Sequence, residues 1–527
     1  MCDQIVKKIK TLLATFAMLA MLTSASRLLA MDEPPQVHFV VNAYEVFGDN
    51  PLSADTTRDV LKPFTGDHYG LTGLQAAADS LEKAFREQGF AFHRVILVPQ
   101  ELKQGIIKFK VTVFKLNKVD ISGNQHFDEQ NLLRNLPGLT PGETPNTNEL
   151  SRAVNMASDH PSKSLKVKFA ESETGGAIDA KVSVTDQKPD FFFAILNNTG
   201  TDDTGNFRLT GGYQFTNLFN RDHSLALSYT TAPDDTSAVS QYGAFYSAPF
   251  YESGSRLSFL YTQSDVDSGI IQQTFDVAGK GRVIALRYNK NFLQVGAYKH
   301  EIELGLDHKK FEDNTTFAGS PTAFLGTDVV SRPFSLFYKG SRPGTRSTID
   351  FTIGGAMNIS GGSLNEDADY IANNVATADW SVIRYGANYT RFFSDNWIFR
   401  LRFNGQETSD ELIPGEKFGL GGMNSIRGFD ERIILGDTGY QLNLELWFPT
   451  VTSYDIRPLV FYDYGHVELI DPAGLPPEED PASIGAGLRW SWKQKLSVVL
   501  DYGYVTSAAG LVKDGDTRAH LDMFYRF

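Results

Sequence analysis

The chain has almost no cysteine: Cys2 is the single one among 527 residues. It lies ahead of the apolar segment that begins at Leu12, so it is not placed as a lipoprotein attachment site and would leave with a cleaved signal. A mature chain without thiols excludes disulfides and cysteine catalysis, and it suits an oxidising compartment.

Long apolar runs and an excess of positive charge are also missing. No run of about 20 apolar residues follows the N-terminus, so we expect no membrane-spanning helix in the mature protein. The net charge is −14, which argues against nucleic acid as a partner. HExxH, GxSxG, P-loop and CxxC motifs are absent from the sequence, and we therefore expect no enzyme, metal site or cofactor.

The N-terminus has the pattern of a secretory signal peptide. Lys7, Lys8 and Lys10 precede the apolar segment 12–22, and small residues follow, with Ala30 a second possible cleavage point. An uncleaved anchor helix is the alternative, but the apolar segment is short for one. Residues 1–30 are therefore predicted to be removed.

Residues 37–187 carry a strand–helix–helix–strand–strand pattern that occurs twice, each time over roughly 75 residues. The longer helix of the first unit has an apolar face made of Leu71, Leu74, Ala78, Leu81 and Phe85, and Gly89 ends it. The predicted elements are 37–47, 55–61, 71–88, 92–98 and 105–114 in the first unit, and 119–122, 128–136, 148–157, 164–169 and 177–185 in the second. The sequence thus predicts two small domains, 37–114 and 115–187.

After residue 187 the period changes to strict alternation of apolar and polar residues over segments of about ten residues. In one segment Leu225, Leu227 and Tyr229 alternate with the small residues Ser224, Ala226 and Ser228. Sixteen candidate strands begin near Asp190, Asn206, His223, Ser240, Ser255, Gly281, Gly296, Arg332, Arg346, Ala378, Asn396, Gly439, Pro458, Ala482, Lys495 and Thr517. Residues 188–527 are therefore predicted to form a 16-stranded antiparallel transmembrane β-barrel. A soluble sandwich is the alternative, but it would not need so many strands in one sheet.

The last candidate strand ends the chain with aromatic residues. Leu521, Met523, Tyr525 and Phe527 lie on one face of it by parity. A C-terminal aromatic on an amphipathic strand resembles the signal that the outer-membrane barrel-assembly machinery reads. Tyr525 and Phe527 are therefore the predicted assembly signal.

A glycine-rich loop lies between the eleventh and twelfth candidate strands, and it contains Ile426, Arg427, Gly428 and Phe429. A loop with a permanent cation is not expected to face lipid, so we expect it to fold into the barrel lumen. The glycines would let its backbone approach the wall closely. We predict this lumen loop at 408–436.

The thirteenth candidate strand offers a partner for the loop. By parity Phe461, Asp463 and Gly465 point inward, because a carboxylate on the lipid face would be costly. Arg427 and Asp463 are therefore a candidate charge-assisted, bidentate pair. The alternative is that Arg427 is a solvated loop residue and Asp463 one of many polar groups lining the lumen.

Taken together, two β-α-α-β-β units, sixteen barrel strands, the Ile426–Phe429 tetrad and the Phe461-x-Asp463-x-Gly465 motif resemble the TpsB transporters of two-partner secretion. The resemblance covers essentially the whole mature chain. It implies two periplasmic POTRA domains, an outer-membrane barrel and a lumen loop that Arg427 anchors to Asp463. Phe429 stands where many relatives have tyrosine.

One departure concerns the N-terminus. Members of this family place a plug helix and a long linker before the first POTRA domain, whereas here the first predicted strand begins near Val37. We therefore expect no plug helix, and pore closure would depend on the loop and extracellular segments. His466 is expected to point away from Asp463, because an odd separation places them on opposite faces, so a catalytic pair is not predicted.

The resemblance implies translocation of a large secreted partner exoprotein, haemolysin- or adhesin-like. The client would add as a strand to a POTRA sheet edge, at 92–98 or 164–169, and then cross the polar lumen. Further expected partners are the barrel-assembly machinery during biogenesis and outer-membrane lipid. A barrel-assembly factor of the same superfamily is the alternative, although two POTRA domains favour secretion. A diffusion porin is a third class, which the paired N-terminal domains argue against.

Overall fold

The structure is a computed structural model that describes residues 37–527, apart from 102–103, 202–203, 266–268, 272–274, 278–279, 313–325, 452–454 and 494. The predicted signal peptide, 1–30, lies outside the described residues. The expectation that there is no plug helix concerns residues before Val37, which also lie outside the described residues. In the described part of the chain, no helix has both the length and the hydropathy needed to cross a bilayer.

The first small domain ends at Phe114 and is a compact unit of its own. Its elements are β1 (His38–Val41), β2 (Ala43–Gly48), α1 (Ala54–Leu61), β3 (Gly66–Tyr69), α2 (Thr72–Glu87), β4 (His93–Leu97) and β5 (Ile106–Val113). Strands β2, β5 and β4 form a sheet in that order, with β2 parallel and β4 antiparallel to β5. Strand β3 pairs with β1; it was not predicted, because its four residues include Asp67 and His68 and show no apolar alternation.

Helix α2 packs its apolar face on this sheet. Leu74, Ala78, Leu81 and Phe85 are buried as predicted, together with residues of β5. The prediction for Leu71 was wrong: its side chain is 65% exposed because it occupies the N-cap position just before the helix.

The second small domain repeats this topology. It consists of β6 (Lys115–Ser122), α3 (Glu129–Arg134), α4 (Thr147–Ser158), β7 (Lys163–Glu171) and β8 (Ala177–Asp186). The sheet order is β6, β8, β7, again with a parallel and an antiparallel pair. Strand β6 begins earlier than predicted, since an irregularity in its register between Leu116 and Lys118 interrupts the alternation.

Sixteen antiparallel strands then close into a barrel, which confirms the predicted fold. They are β9 (Asp190–Asn197), β10 (Arg208–Leu218), β11 (His223–Thr231), β12 (Gln241–Phe250), β13 (Ser255–Ser264), β14 (Gly281–Asn291), β15 (Lys299–Phe311), β16 (Pro333–Pro343), β17 (Ser347–Asn358), β18 (Ser381–Phe392), β19 (Ile398–Glu407), β20 (Thr438–Trp447), β21 (Ile456–Glu468), β22 (Ala482–Trp492), β23 (Leu496–Ser507) and β24 (Thr517–Arg526). Strand β24 pairs with β9 and completes the cylinder.

The alternation sorts side chains between the two faces of the barrel wall. Leu227 and Tyr229 on β11 are exposed on the outer face, whereas Ala226 is buried on the inner face. The same parity on β21 exposes Val460 and Tyr462 and buries Asp463. The wall is therefore apolar outside and polar inside, as a membrane barrel requires.

The second small domain contacts the barrel through a buried polar cluster, the junction cluster, made of Asn131, His160, Lys163, Asp222 and Tyr251. Lys163 Nζ lies 2.7 Å from both carboxylate oxygens of Asp222, and both side chains are fully buried. Tyr251 donates to the same carboxylate, and Asn131 does so from α3. A buried pair with its remaining hydrogen bonds satisfied ties the domain to the turns after β10 and β12.

His160 adds a second link to the barrel. Its Nε2 donates to the carbonyl oxygen of Thr216 on β10 at 2.7 Å, and its Nδ1 accepts from the amide of Ser162. These roles require the neutral imidazole. Burial lowers the pKa of His160 below its usual value.

Candidate functional site

The loop between β19 and β20, residues 408–437, folds back into the barrel. Its buried apolar residues are Leu412, Ile413, Leu420, Ile426, Phe429 and Ile434. Its tip contacts inward-facing groups of β21, β23 and β24. The loop therefore lies in the lumen.

A short hairpin forms the stalk of the loop. Phe418–Leu420 pairs with Ile434–Gly436 in antiparallel fashion. Gly421 has a φ of +109°, and a Cβ there would lie 2.2 Å from the carbonyl oxygen of Asp430. Glycine is needed at this turn, because only it allows both the dihedral angle and the close approach.

Arg427 meets Asp463 at the tip of the loop. Its Nε donates to Asp463 Oδ2 at 2.7 Å and its Nη2 to Oδ1 at 2.8 Å. The backbone amide of Arg427 also donates to Oδ2, at 3.1 Å. Arg427 is 3% exposed and Asp463 is fully buried. The pair is bidentate, which is the strongest arrangement that a guanidinium makes with a carboxylate.

Two further carboxylates surround the same guanidinium. Arg427 Nη1 lies 2.8 Å from Glu445 Oε1 on β20 and 3.3 Å from Asp501 Oδ2 on β23. The ring of Phe461 lies beneath the guanidinium, and Cζ of Arg427 is 3.5 Å from the centroid of that ring. Arg427 thus binds residues of three strands.

A second arginine balances the acidic groups of this site. Arg489 on β22 donates to both oxygens of Asp501, at 2.6 and 2.9 Å, and its Nη2 lies 4.0 Å from Glu445. With the loop in place, the two guanidiniums of Arg427 and Arg489 face three carboxylates, Asp463, Glu445 and Asp501. Removing Arg427 would take two hydrogen bonds from Asp463 and one each from Glu445 and Asp501.

The apolar members of the tetrad pack into a small core inside the lumen. Ile426 and Phe429 are fully buried against Val467 of β21 and Val505 of β23. Gly465 makes room for the loop, since a Cβ there would lie 2.5 Å from Leu420 and 3.3 Å from Ile426. Phe429 lies in this apolar cluster, where its lack of a hydroxyl avoids a buried polar group.

Gly428 supplies a further contact. Its φ is +98°, and its amide donates to Nε2 of the buried His520 on β24 at 2.9 Å. Asp430, two residues further along the loop, forms an ion pair with Arg518, which lies on β24 like His520. The tip therefore touches the strand that closes the barrel.

The base of the loop is held by a second buried charge. Glu416 is 1% exposed and pairs with Lys309 of β15 and Arg384 of β18, at 3.0 and 3.4 Å. Above it, Leu412 and Ile413 belong to an apolar cluster with Tyr370 and Trp380. The loop is thus anchored at both its base and its tip.

Several of these groups were missed by the sequence analysis, namely Asp501, His520, Arg489 and Glu416. Parity shows that a residue faces the lumen, but it does not show which lumen residues the loop reaches. Gly485 and Gly487 at alternate positions of β22, and Gly503 on β23, were the available signal, because glycine in a strand marks close backbone approach.

The remaining predicted residues lie away from this site. Tyr525 and Phe527 contact each other edge to face, with centroids 4.8 Å apart, and Phe527 is 66% exposed. His466 faces away from Asp463 and lies 3.0 Å from Asp480. No group of three or more metal-ligating side chains occurs among the residues that the structure describes.

A closed 16-stranded barrel, two β-α-α-β-β domains and an arginine-bearing loop docked in the lumen define the class of outer-membrane transporters with POTRA domains. A family model described as haemolysin secretion/activation protein ShlB/FhaC/HecB matches residues 176–490. A second, described as POTRA domain, ShlB-type, matches residues 39–113. The chain belongs to the haemolysin secretion/activation protein family ShlB/FhaC/HecB.

Individual relatives have low sequence identity but extensive coverage. The outer membrane transporter CdiB of Escherichia coli is 22% identical over 501 residues, covering 93% of this chain and 82% of CdiB. The heme/hemopexin transporter protein HuxB of Haemophilus influenzae is 19% identical over 419 residues, covering 78% and 72%. The solved structure of CdiB from Escherichia coli superimposes with a TM-score of 0.78 at 18% identity, covering 95% of this chain and 92% of that one.

The protein is therefore a two-partner secretion transporter of the outer membrane, and not an enzyme. Its POTRA domains lie in the periplasm. Since β9 directly follows the second of them, the barrel end at Asp190 is periplasmic, and strand alternation brings the loop 408–437 in from the extracellular end.

Proposed function

We propose that the protein exports a large partner exoprotein, haemolysin- or adhesin-like, and that export requires Arg427 both to leave Asp463, which opens the path, and to dock there again. The supporting observation is the docking of the loop tip by side-chain contacts to Asp463, Glu445 and Asp501. Such contacts can break and re-form without disrupting a strand ladder. The docked loop occupies the lumen, so a polypeptide in transit requires it to move.

Client capture would use the exposed edges of the two POTRA sheets. Strands β4 and β7 both end their sheets, and these correspond to the two edges predicted from sequence. An unfolded client that lacks its own partners can add there as an extra strand.

The edge of β4 carries a specific feature that favours this use. The amide of Val95 points away from β5 and donates to Glu82 Oε1 of helix α2 at 2.9 Å. Glu82 also lies near Arg86 and Arg94, at 3.5 and 3.7 Å. A carboxylate oxygen thus occupies the position that a client carbonyl would take, and an incoming strand would displace it.

Val95→Pro tests capture at this edge. Proline removes the outward amide while leaving the hydrogen bonds between β4 and β5, since proline is tolerated on the open side of an edge strand. Export should fall, whereas Val95→Ala, which shortens the side chain but keeps the amide, should export normally. Equal export by the two variants would exclude strand addition at β4.

Biogenesis would involve the barrel-assembly machinery, with Tyr525 and Phe527 as its recognition signal, and outer-membrane lipid would surround the apolar face. Phe527 is exposed at the periplasmic end of β24 and remains accessible there. Phe527→Ser should lower the amount of folded barrel in the membrane, with little change in export per folded molecule. A fall in export at unchanged barrel abundance would contradict the assembly role.

The loop proposal is tested by Arg427→Ala. The variant is co-expressed with a candidate exoprotein encoded beside this chain, and client released into the medium is compared with folded barrel in the membrane. We expect export to fall while barrel abundance stays nearly unchanged. Arg287→Ala is the matched control, because Arg287 also pairs with a largely buried carboxylate, Asp307, but between β14 and β15, strands outside the described contacts of the loop tip. Normal export by Arg427→Ala would remove the loop from the mechanism.

A second test removes residues 37–187. The remaining barrel should insert into the outer membrane but export no client, since both capture edges are gone. Residual export would count against capture by the POTRA domains.

A further inference from the structure

The loop tip touches a part of the wall beyond the motif strand β21. Asp501 on β23 is 1% exposed and accepts from Arg427 at 3.3 Å. It is held in place by Arg489, which donates to both of its oxygens. Arg489 thus holds the Asp501 carboxylate in a position where it accepts a hydrogen bond from the tip of the loop.

The backbone of the loop also fits closely against β23. A Cβ on Gly503 would lie 2.5 Å from the amide nitrogen of Gly428 and 2.7 Å from the carbonyl carbon of Arg427. Both are backbone atoms, so no side-chain rotation would relieve the contact. The tetrad can take its observed position only because residue 503 has no side chain.

Neighbouring glycines on β22 make space for the side chains of this wall. A Cβ on Gly487 would lie 1.8 Å from Asp501 Oδ1, and one on Gly485 would lie 2.2 Å from the ring of Phe461. Asp501 can therefore point toward the loop, and the ring of Phe461 can lie beneath Arg427, only because β22 has glycine at positions 487 and 485.

We infer that Asp501 and Gly503 form a second half of the site that seats the lumen loop, and that Arg489 is a positioning residue that acts through Asp501. The two halves differ in what happens when the loop leaves. Asp501 keeps its bidentate partner Arg489, whereas Asp463 keeps only Asn443 among its described side-chain hydrogen-bond partners. The β23 half therefore stays preformed and guides the loop back to the same place.

The importance of this site for export rests on the proposed function, but its test does not need a client. Ser425 Oγ donates to Gln441 Oε1 at 2.6 Å across the boundary between loop and wall. Ser425→Cys and Gln441→Cys together allow a short thiol-specific cross-linker to report the docked loop. Cys2 is replaced by serine, which leaves the reporter cysteines alone in the chain. Heat-modifiable migration in gels reports barrel folding independently.

Gly503→Ala should lower the ratio of docked to undocked loop by roughly tenfold or more, since overpacking against backbone cannot relax. Asp501→Asn, which keeps the shape of the side chain, should lower it on the order of fivefold. Gly211→Ala is the control, because a Cβ on Gly211 has nothing within 4 Å. Arg489→Gln should lower the ratio by itself, but should add little to Asp501→Asn, because it acts through that carboxylate.

Wild-type cross-linking by folded Gly503→Ala and folded Asp501→Asn would overturn the inference. If Gly503→Ala does not fold, the outcome for Asp501→Asn decides alone. A full additive effect of Arg489→Gln on Asp501→Asn would refute the positioning role. Normal export by Arg427→Ala would refute the proposed function and leave these cross-linking results unchanged, so the two failures are distinguishable.

Discussion

Arg427→Lys separates the geometry of the loop anchor from its charge. Arginine makes two hydrogen bonds to Asp463 and one each to Glu445 and Asp501. An ammonium group keeps the charge, but it cannot form the planar fork or stack on Phe461 in the same way. Losing two charge-assisted bonds at roughly 1.5 kcal/mol each gives about 3 kcal/mol, or a docked-to-undocked ratio roughly 150-fold lower.

Arg427→Ala should be at least as severe. It removes the guanidinium that pairs with the buried Asp463 and contacts Glu445 and Asp501, and breaking a buried pair in this way costs about 3–5 kcal/mol. The Ser425→Cys and Gln441→Cys reporter measures docking, and client release measures export. We expect both readouts to rank wild type above Arg427→Lys, and Arg427→Lys above or equal to Arg427→Ala.

The control for this series is Arg287→Lys, which makes the same change in an ion pair between β14 and β15, strands outside the described contacts of the loop tip. It should leave both readouts near wild type. Docking and export by Arg427→Lys equal to wild type would refute the reasoning, because a point charge would then be sufficient at the loop tip.

The remaining predictions concern the junction cluster, where amide hydrogen exchange of the mature protein in detergent micelles is the measurement. Lys163→Met leaves Asp222 buried without its cation, so exchange protection around 127–165 should fall by about 3–5 kcal/mol. Unchanged protection would show that the pair does not hold the second small domain against the barrel. Burial lowers the pKa of His160, so the neutral imidazole contributes fully to the stability of this domain above an unfolded pKa of about 6.5. That stability is lost as the pH falls below this value, by up to about 2 kcal/mol at pH 5. His160→Gln should remove that component of the pH dependence, and an identical profile in the variant would contradict it.

Most of the barrel could be predicted because membrane strands impose a simple period on the sequence. Predicted and observed strand starts differ by at most three residues, as at Lys299 and Ser381. The alternation is strong wherever one face meets lipid and the other meets water. Outside the barrel, the short strand β3 of the first small domain has no apolar face and shows no such alternation, so it was missed.

The anchor pair could be anticipated for an energetic reason. Parity placed Asp463 inside the barrel, and a permanently charged loop residue needs a partner there. The structure places Arg427 against it, but the importance of the pair for export stays a prediction. The rest of the site depends on how far the loop reaches across the lumen. That distance brings Asp501 and His520 to the tip, and the alternation of a strand does not encode it.

Locking the loop to the wall in living cells tests the central claim most directly. The Ser425→Cys and Gln441→Cys pair would be joined by a reducible cross-linker, and client release would be measured before and after reduction. We predict that the resting protein cross-links readily, that export stops while the link is intact, and that reduction restores it. Normal export through a barrel whose loop is fully cross-linked would contradict the account.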